Sequence, residues 1–164
     1  MTLSTKENIA FGLAREEHNH HIIEEVFGLE LIHSKYQFAN FDWYDANKNV
    51  VVEHKSFSRP FHKSNFCLLK TNKVLNSNSV FIFEFDTSRT FYLQYSGKLF
   101  KEFQQDWVRY EGKIAKEQFF IIPNSYLIEF TPSSKIDLTF KNKNIPYIKM
   151  LIEQDKEKSK LYNH

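Results

Sequence analysis

The sequence predicts a single α/β domain in which helices flank a mixed central β-sheet, and three observations carry that prediction. A helical apolar period opens the chain, short strand-like runs separated by Asn- and Asp-rich turns follow it, and a second helical pattern closes it. The 164 residues are one domain's worth on a scale of about 100 to 200 residues, so 1–164 reads as one unit with no linker, repeat or low-complexity tract.

Ser4 or Thr5 caps the first helix, and Glu7 stands three positions after Ser4 as in a capping box. Ile9, Leu13, Glu16, His20, Ile23 and Phe27 then recur at spacings of 4, 3, 4, 3 and 4, which is one helix face, and Gly28 follows as a C-cap. Glu16 and His20 interrupt that stripe, and a polar group on a face destined for burial needs a partner. From Leu29 to Ser56 the pattern is strand: LELIHSKYQF, FANFDWY and VVVEHKS, with DANKN as the turn between the last two. Residues 61–75 are mixed and basic and read as an irregular or short helical crossing. SVFIFEFD and TFYLQYS, separated by a turn near Thr87 to Arg89, form two more strands. Residues 98–118 alternate aromatic and charged clusters, QFFIIP and SYLIEF are strand-like, and PYIKMLIEQDKEKSKLY gives a terminal helix over about 145–162.

Composition excludes several classes. With 41% hydrophobic and 26% charged residues and only four glycines and four prolines, the chain is neither disordered nor collagen-like. Its apolar runs are far shorter than the roughly 20 residues of a spanning helix, so no membrane partner is expected. The N-terminal stretch has acidic residues where a signal peptide has its apolar run, and the single Cys67 forms no intrachain disulfide, so an intracellular, non-secreted setting, cytoplasmic or nuclear, is expected. A net charge of +2 gives no global basic field, and any contact with nucleic acid must come from a local patch.

The informative segment is 41–56, FDWYDANKNVVVEHKS. Alternate residues of a strand share a face, so Glu53 and Lys55 point one way while Val50, Val52 and His54 point the other. If the hairpin loop has an even number of residues, Asp42 pairs opposite Glu53, with Cβ atoms about 4.5 to 5.5 Å apart. With an odd loop it pairs opposite Val52 and faces away. Two carboxylates on one face suit Mg²⁺, which takes one or two protein carboxylates and fills the rest of its octahedron with water and phosphate. Lys55 beside them would orient the attacking water and offset charge on the phosphate.

These residues resemble the PD-(D/E)XK nuclease superfamily, in particular its phage and giant-virus members. The likeness spans about residues 8–96: a helix bearing a glutamate, a meander, Asp42, ten intervening residues, then Glu53-His54-Lys55, a basic crossing and a two-strand hairpin. Phe41 stands where the motif often has proline. The resemblance implies a restriction-endonuclease-like core and a Mg²⁺- or Mn²⁺-dependent endonuclease acting on DNA, with RNA as the other candidate substrate. It implies that Asp42 and Glu53 hold the metal, that the His54 backbone carbonyl adds a ligand, that Glu16 or else Glu17 completes the site, and that Lys55 serves the water. It leaves homodimerisation open. A non-cutting nucleic-acid-binding module on the same fold and a structural protein with a chance motif are the rivals.

Arg59, Lys63, Lys70 and Lys73 follow the motif strand and are candidates for phosphate contacts. The second Glu-x-Lys, Glu111-Gly112-Lys113, has no apolar strand before it and reads as surface. His18 and His21 read as a solvated helix face, because zinc would want a different spacing. His20 lies one turn from Glu16. It either orients that carboxylate, approaches the metal as a helix histidine does in cap-snatching relatives, or is satisfied by a backbone carbonyl.

Overall fold

The computed structural model describes residues 5–34, 41–71, 78–108, 117–139 and 146–162. Its elements are α1 (Thr5–Phe27), β1 (Ile32–His33), β2 (Trp43–Asp45), β3 (Val50–Phe57), β4 (Phe66–Lys70), β5 (Ser79–Phe85), β6 (Arg89–Gln94), α2 (Gly97–Phe100), β7 (Gln104–Val108), β8 (Glu117–Pro123), β9 (Ile128–Phe130) and α3 (Pro146–Tyr162). β1, β2, β3, β5, β6 and β9 form one sheet in that order, with β3 and β5 parallel and the other pairs antiparallel. The architecture is therefore mixed α/β, with a mixed sheet and flanking helices. Among the described residues no helix is long and apolar enough to cross a membrane.

α1 stops where Gly28 takes φ +63°, and the Leu29 N–H reaches back to the Glu24 carbonyl at 3.0 Å, which satisfies a carbonyl that the helix end would leave open. The helix is where its periodicity places it, but its inner stripe differs. Ile9 and Leu13 are 60% and 54% exposed, and the side turned to the sheet carries Arg15, Asn19, Ile23 and Val26. Residues 6–10 are exposed throughout, so among the described residues the first turns of α1 bury no apolar side chain against the sheet.

Ile23, Val26 and Phe27 pack against Trp43, Val50, Val52, Val80 and Ile82 on one face of the sheet. On the other face Phe81, Phe83 and Phe85 meet Cys67, Leu69 and Ile122, and Phe41, Tyr44 and Val51 meet Ile148 and Ile152 of α3. β5 is buried along all seven residues, which is why SVFIFEF is almost continuously apolar rather than alternating.

The crossing between β3 and β5 departs from its expected irregular or helical form. Phe66–Lys70 is a strand, paired antiparallel with β8, and β4, β8 and β7 make a second, three-stranded sheet. Cys67 and Leu69 turn inward, fully buried, and Phe66, Leu68 and Lys70 turn outward. The outward Phe66 and Leu68 mask this alternation in the sequence. SYLIEF likewise divides, into a 3-10 turn at Asn124–Tyr126 and β9. Lys73 and the Glu111-Gly112-Lys113 triplet lie outside the described residues.

Candidate functional site

The β2–β3 turn spans Ala46 to Asn49, an even number of residues, and sets Trp43 opposite Val52, Tyr44 opposite Val51 and Asp45 opposite Val50. Asp45 Oδ1 accepts the Asn47 and Lys48 N–H groups at 2.9 and 3.0 Å, and Asn49 takes φ +54°, a left-handed conformation that asparagine tolerates. Continued by one pair, this register would set Asp42 directly across from Glu53. The ladder stops short of that. The Asp42 N–H donates to the Val52 carbonyl at 2.9 Å, so Val52 faces both Asp42 and Trp43, as in a β-bulge. The alternation breaks accordingly: Phe41 and Tyr44, three positions apart, both pack on the α3 face.

The bulge re-aims Asp42. Its carbonyl accepts from Ser34 N–H at 2.7 Å, and its carboxylate Oδ2 accepts from the His54 N–H, also at 2.7 Å. Asp42 therefore lies along the open edge of β3, beside the peptide joining Glu53 to His54. The N–H and C=O of one residue leave a strand on the same side. Val51 N–H bonds across to Asn78 on the β5 side, so the His54 carbonyl points toward the Asp42 edge. Glu53 and Lys55 leave β3 on the face shared with Phe81 and Phe83, their partners in β5. Glu53 is buried and Lys55 half-buried.

Of the helix carboxylates, Glu17 is exposed, and Glu16 reaches the sheet edge at His33, with Oε2 3.2 Å from Nε2. His33 is a site residue that sequence reasoning missed. Its Nδ1 donates to the Ser34 carbonyl at 2.6 Å, so both ring nitrogens face acceptors, the arrangement of an imidazolium. The Glu16 hydrogen bond, with the charge of Asp42 contributing, holds its pKa above the ordinary histidine value. His20 Nε2 meets the Leu31 carbonyl at 2.9 Å and its ring stacks on Trp43, so a backbone carbonyl satisfies it. His18 and His21 are exposed.

The back of β3 holds a second polar group that the sequence did not announce. Arg15 grips Glu84 of β5 with two bonds, Nε to Oε1 at 2.6 Å and Nη2 to Oε2 at 3.1 Å. Asn19 Nδ2 donates to Glu84 Oε2 at 2.8 Å and stands 3.2 Å from His54 Nε2. Burial works to raise the Glu84 carboxyl, and the Arg15 and Asn19 hydrogen bonds outweigh it, so Glu84 is held below the usual carboxylate range. Burial pushes His54 down to about 4, a neutral imidazole at physiological pH.

That depression makes stability fall on acidification. Between the unfolded histidine value near 6.5 and about 4, the unfolded chain takes up a proton that the folded chain refuses. Urea unfolding is expected to show a loss approaching about 3 kcal/mol as pH drops through that window, and His54→Asn should flatten it. His33, half exposed, works in the opposite sense but is screened by solvent. An equal slope in His54→Asn would refute the assignment to His54.

Beyond the motif strand, Arg59 lies over the Phe57 ring at 4.8 Å and donates to the Phe66 carbonyl, while Lys63 is exposed. Lys70 pairs with Glu117 at 3.1 Å. Cys67 donates to Asn124 Oδ1, and burial pushes its thiol up to about 11 against the pull of Arg59 and Lys55, so it is a packing residue. A cleft of about 700 Å³ at the turn end of the hairpin is lined by Phe27, Leu29, Lys48, Lys135, Ile136 and Leu138; neither Asp42 nor Glu53 lines it. Among the described residues no three His, Cys, Asp or Glu side chains converge to enclose a metal by themselves. Compared with known proteins, the chain matches no family model, no curated protein and no solved structure.

Proposed function

We propose that the chain is a metal-dependent nuclease of PD-(D/E)XK type on a restriction-endonuclease-like core. One observation carries the reading: a bulge turns the Asp42 carboxylate to the β3 edge, 2.7 Å from the His54 N–H, next to Glu53, with Lys55 on the Glu53 face. In particular, it is an endonuclease hydrolysing phosphodiester bonds in DNA.

The oxygen donors fit the expected ion. Asp42, Glu53 and the His54 carbonyl would hold Mg²⁺ or Mn²⁺, a small hard donor set of the kind that leaves room for water and phosphate. When bound, the ion supplies an acidified water and charge to stabilise the transferring phosphate. Glu16 is engaged by His33 and would act through water. Lys55 would orient the attacking water and offset negative charge on the phosphate oxygens. Arg59 and Lys63, exposed just past β3, would meet the flanking phosphates.

The test is cleavage of supercoiled plasmid, single-stranded DNA and RNA with Mg²⁺ or Mn²⁺, against EDTA. Asp42→Asn keeps an acceptor for the His54 N–H while removing the charge, and Glu53→Gln does the same for its neighbour. Both should lower cleavage by at least about 10²-fold, with Glu111→Ala unaffected. DNA retained on a gel but never cut would replace the enzyme with a binding module, and preference for RNA would change the substrate.

A further inference from the structure

The network behind β3 bears directly on the proposed metal site. A carboxylate only accepts hydrogen bonds, so the Asn19 group 2.8 Å from Glu84 Oε2 must be the amide NH₂. Its second hydrogen faces His54 Nε2 at 3.2 Å. Nε2 is then the acceptor, the imidazole proton sits on Nδ1, and Ser56 Oγ stands 3.4 Å away to receive it. This tautomer also rules out Ser56 as a nucleophile activated by His54, because Nδ1 carries a proton and cannot take one.

Asn19, His54 and Glu84 come from α1, β3 and β5 and are all buried. Buried ionic groups are seldom better for stability than apolar residues of the same volume. What this one provides is a fixed place for residue 54. The side chain of that residue is held from behind by Asn19, and its main-chain N–H holds the Asp42 carboxylate in front.

We propose that Asn19 is a positioning residue for the metal site: through the His54 imidazole it fixes the 53–54 peptide, and so the direction in which Asp42 and the His54 carbonyl present their oxygens. Glu84, clamped by Arg15, sets the amide of Asn19 in turn. The inference rests on the metal-dependent reading above.

The test is Mn²⁺ titration of the full chain, followed by thermal shift and by calorimetry. Asn19→Leu keeps the branched shape of the Asn19 side chain and lacks the donor. It should bind Mn²⁺ about 10-fold more weakly than wild type, as loss of an outer partner of a metal ligand does. Leu69→Ala, in the core between the two sheets, is the control: it should lower Tm and leave the Mn²⁺ midpoint in place. If Asn19→Leu does not fold, Asn19→Ala takes its place with the same expectation. An Asn19 variant that binds Mn²⁺ as tightly as wild type overturns the positioning role while the metal site stands. A wild type that binds no Mn²⁺ overturns the metal reading and this inference with it.

Discussion

Lys55→Ala is expected to slow the proposed DNA cleavage by about 10²- to 10³-fold, the effect of removing one preorganised donor from a site where charge develops. Lys55 shares a face of β3 with Glu53, beside Phe83 of β5, and is half-buried, which puts it on the side of the strand from which it would act. The loss should fall on kcat, with the metal concentration for half-maximal rate unchanged, because Lys55 is not placed as a ligand. Lys55→Arg should recover only part of the rate, since a planar guanidinium cannot reproduce a compact ammonium. A Lys55→Ala enzyme that cuts at the wild-type rate would remove Lys55 from the mechanism. A shifted metal midpoint would reassign it to metal binding.

The second large effect is on stability. Arg15→Met should cost about 3 to 5 kcal/mol, because it leaves the Glu84 carboxylate buried in the central strand with Asn19 as its remaining donor here. Glu84 is almost fully buried, whereas the Arg15 side chain keeps some contact with water, so the stranded partner is the costly one. Removing both, in Arg15→Met with Glu84→Leu, should restore much of the loss, since apolar groups of similar size are tolerated where a lone charge is not. Urea unfolding at neutral pH measures both. A loss below about 1 kcal/mol for the single variant would mean that water already reaches Glu84.

What was legible in the sequence followed from local periodicity. VVVEHKS and SVFIFEF read as strands because β-branched and aromatic runs suit a buried pleat, and the Gly28 stop and the terminal helix followed from cap chemistry. The turn between β2 and β3 was legible from its Asn- and Asp-rich sequence, but its parity was left open, and the four residues observed are the even case. β4 was hidden because five residues with apolar side chains on both faces carry no alternation to read. The bulge at Asp42 was hidden for a different reason: it depends on where the chain from β1 arrives, and Ser34 holds the Asp42 carbonyl from there.

The polar network was the least legible part, since Arg15 and Glu84 are 69 positions apart and no local pattern joins them. One signal was available. Glu84 stands in a strand otherwise apolar from Val80 to Phe85, and a buried carboxylate there requires a partner from elsewhere. His33 gave no such sign, because its role comes from Glu16 across the sheet edge.

The turn from Ala46 to Asn49 lends no side chain to the carboxylates, yet it joins the two strands whose pairing governs them. Side chains alternate with a period of two, so a slip of one residue in that pairing would deliver Trp43 to the α3 side and carry Asp42 off the edge of β3. A residue gained within the turn lengthens the loop and leaves both where they are, because the burial of Trp43 holds the pairing. Descendants of this chain are thus free to vary the loop and held to the pairing, a rule of inheritance written by strand geometry rather than by any residue that the loop contains.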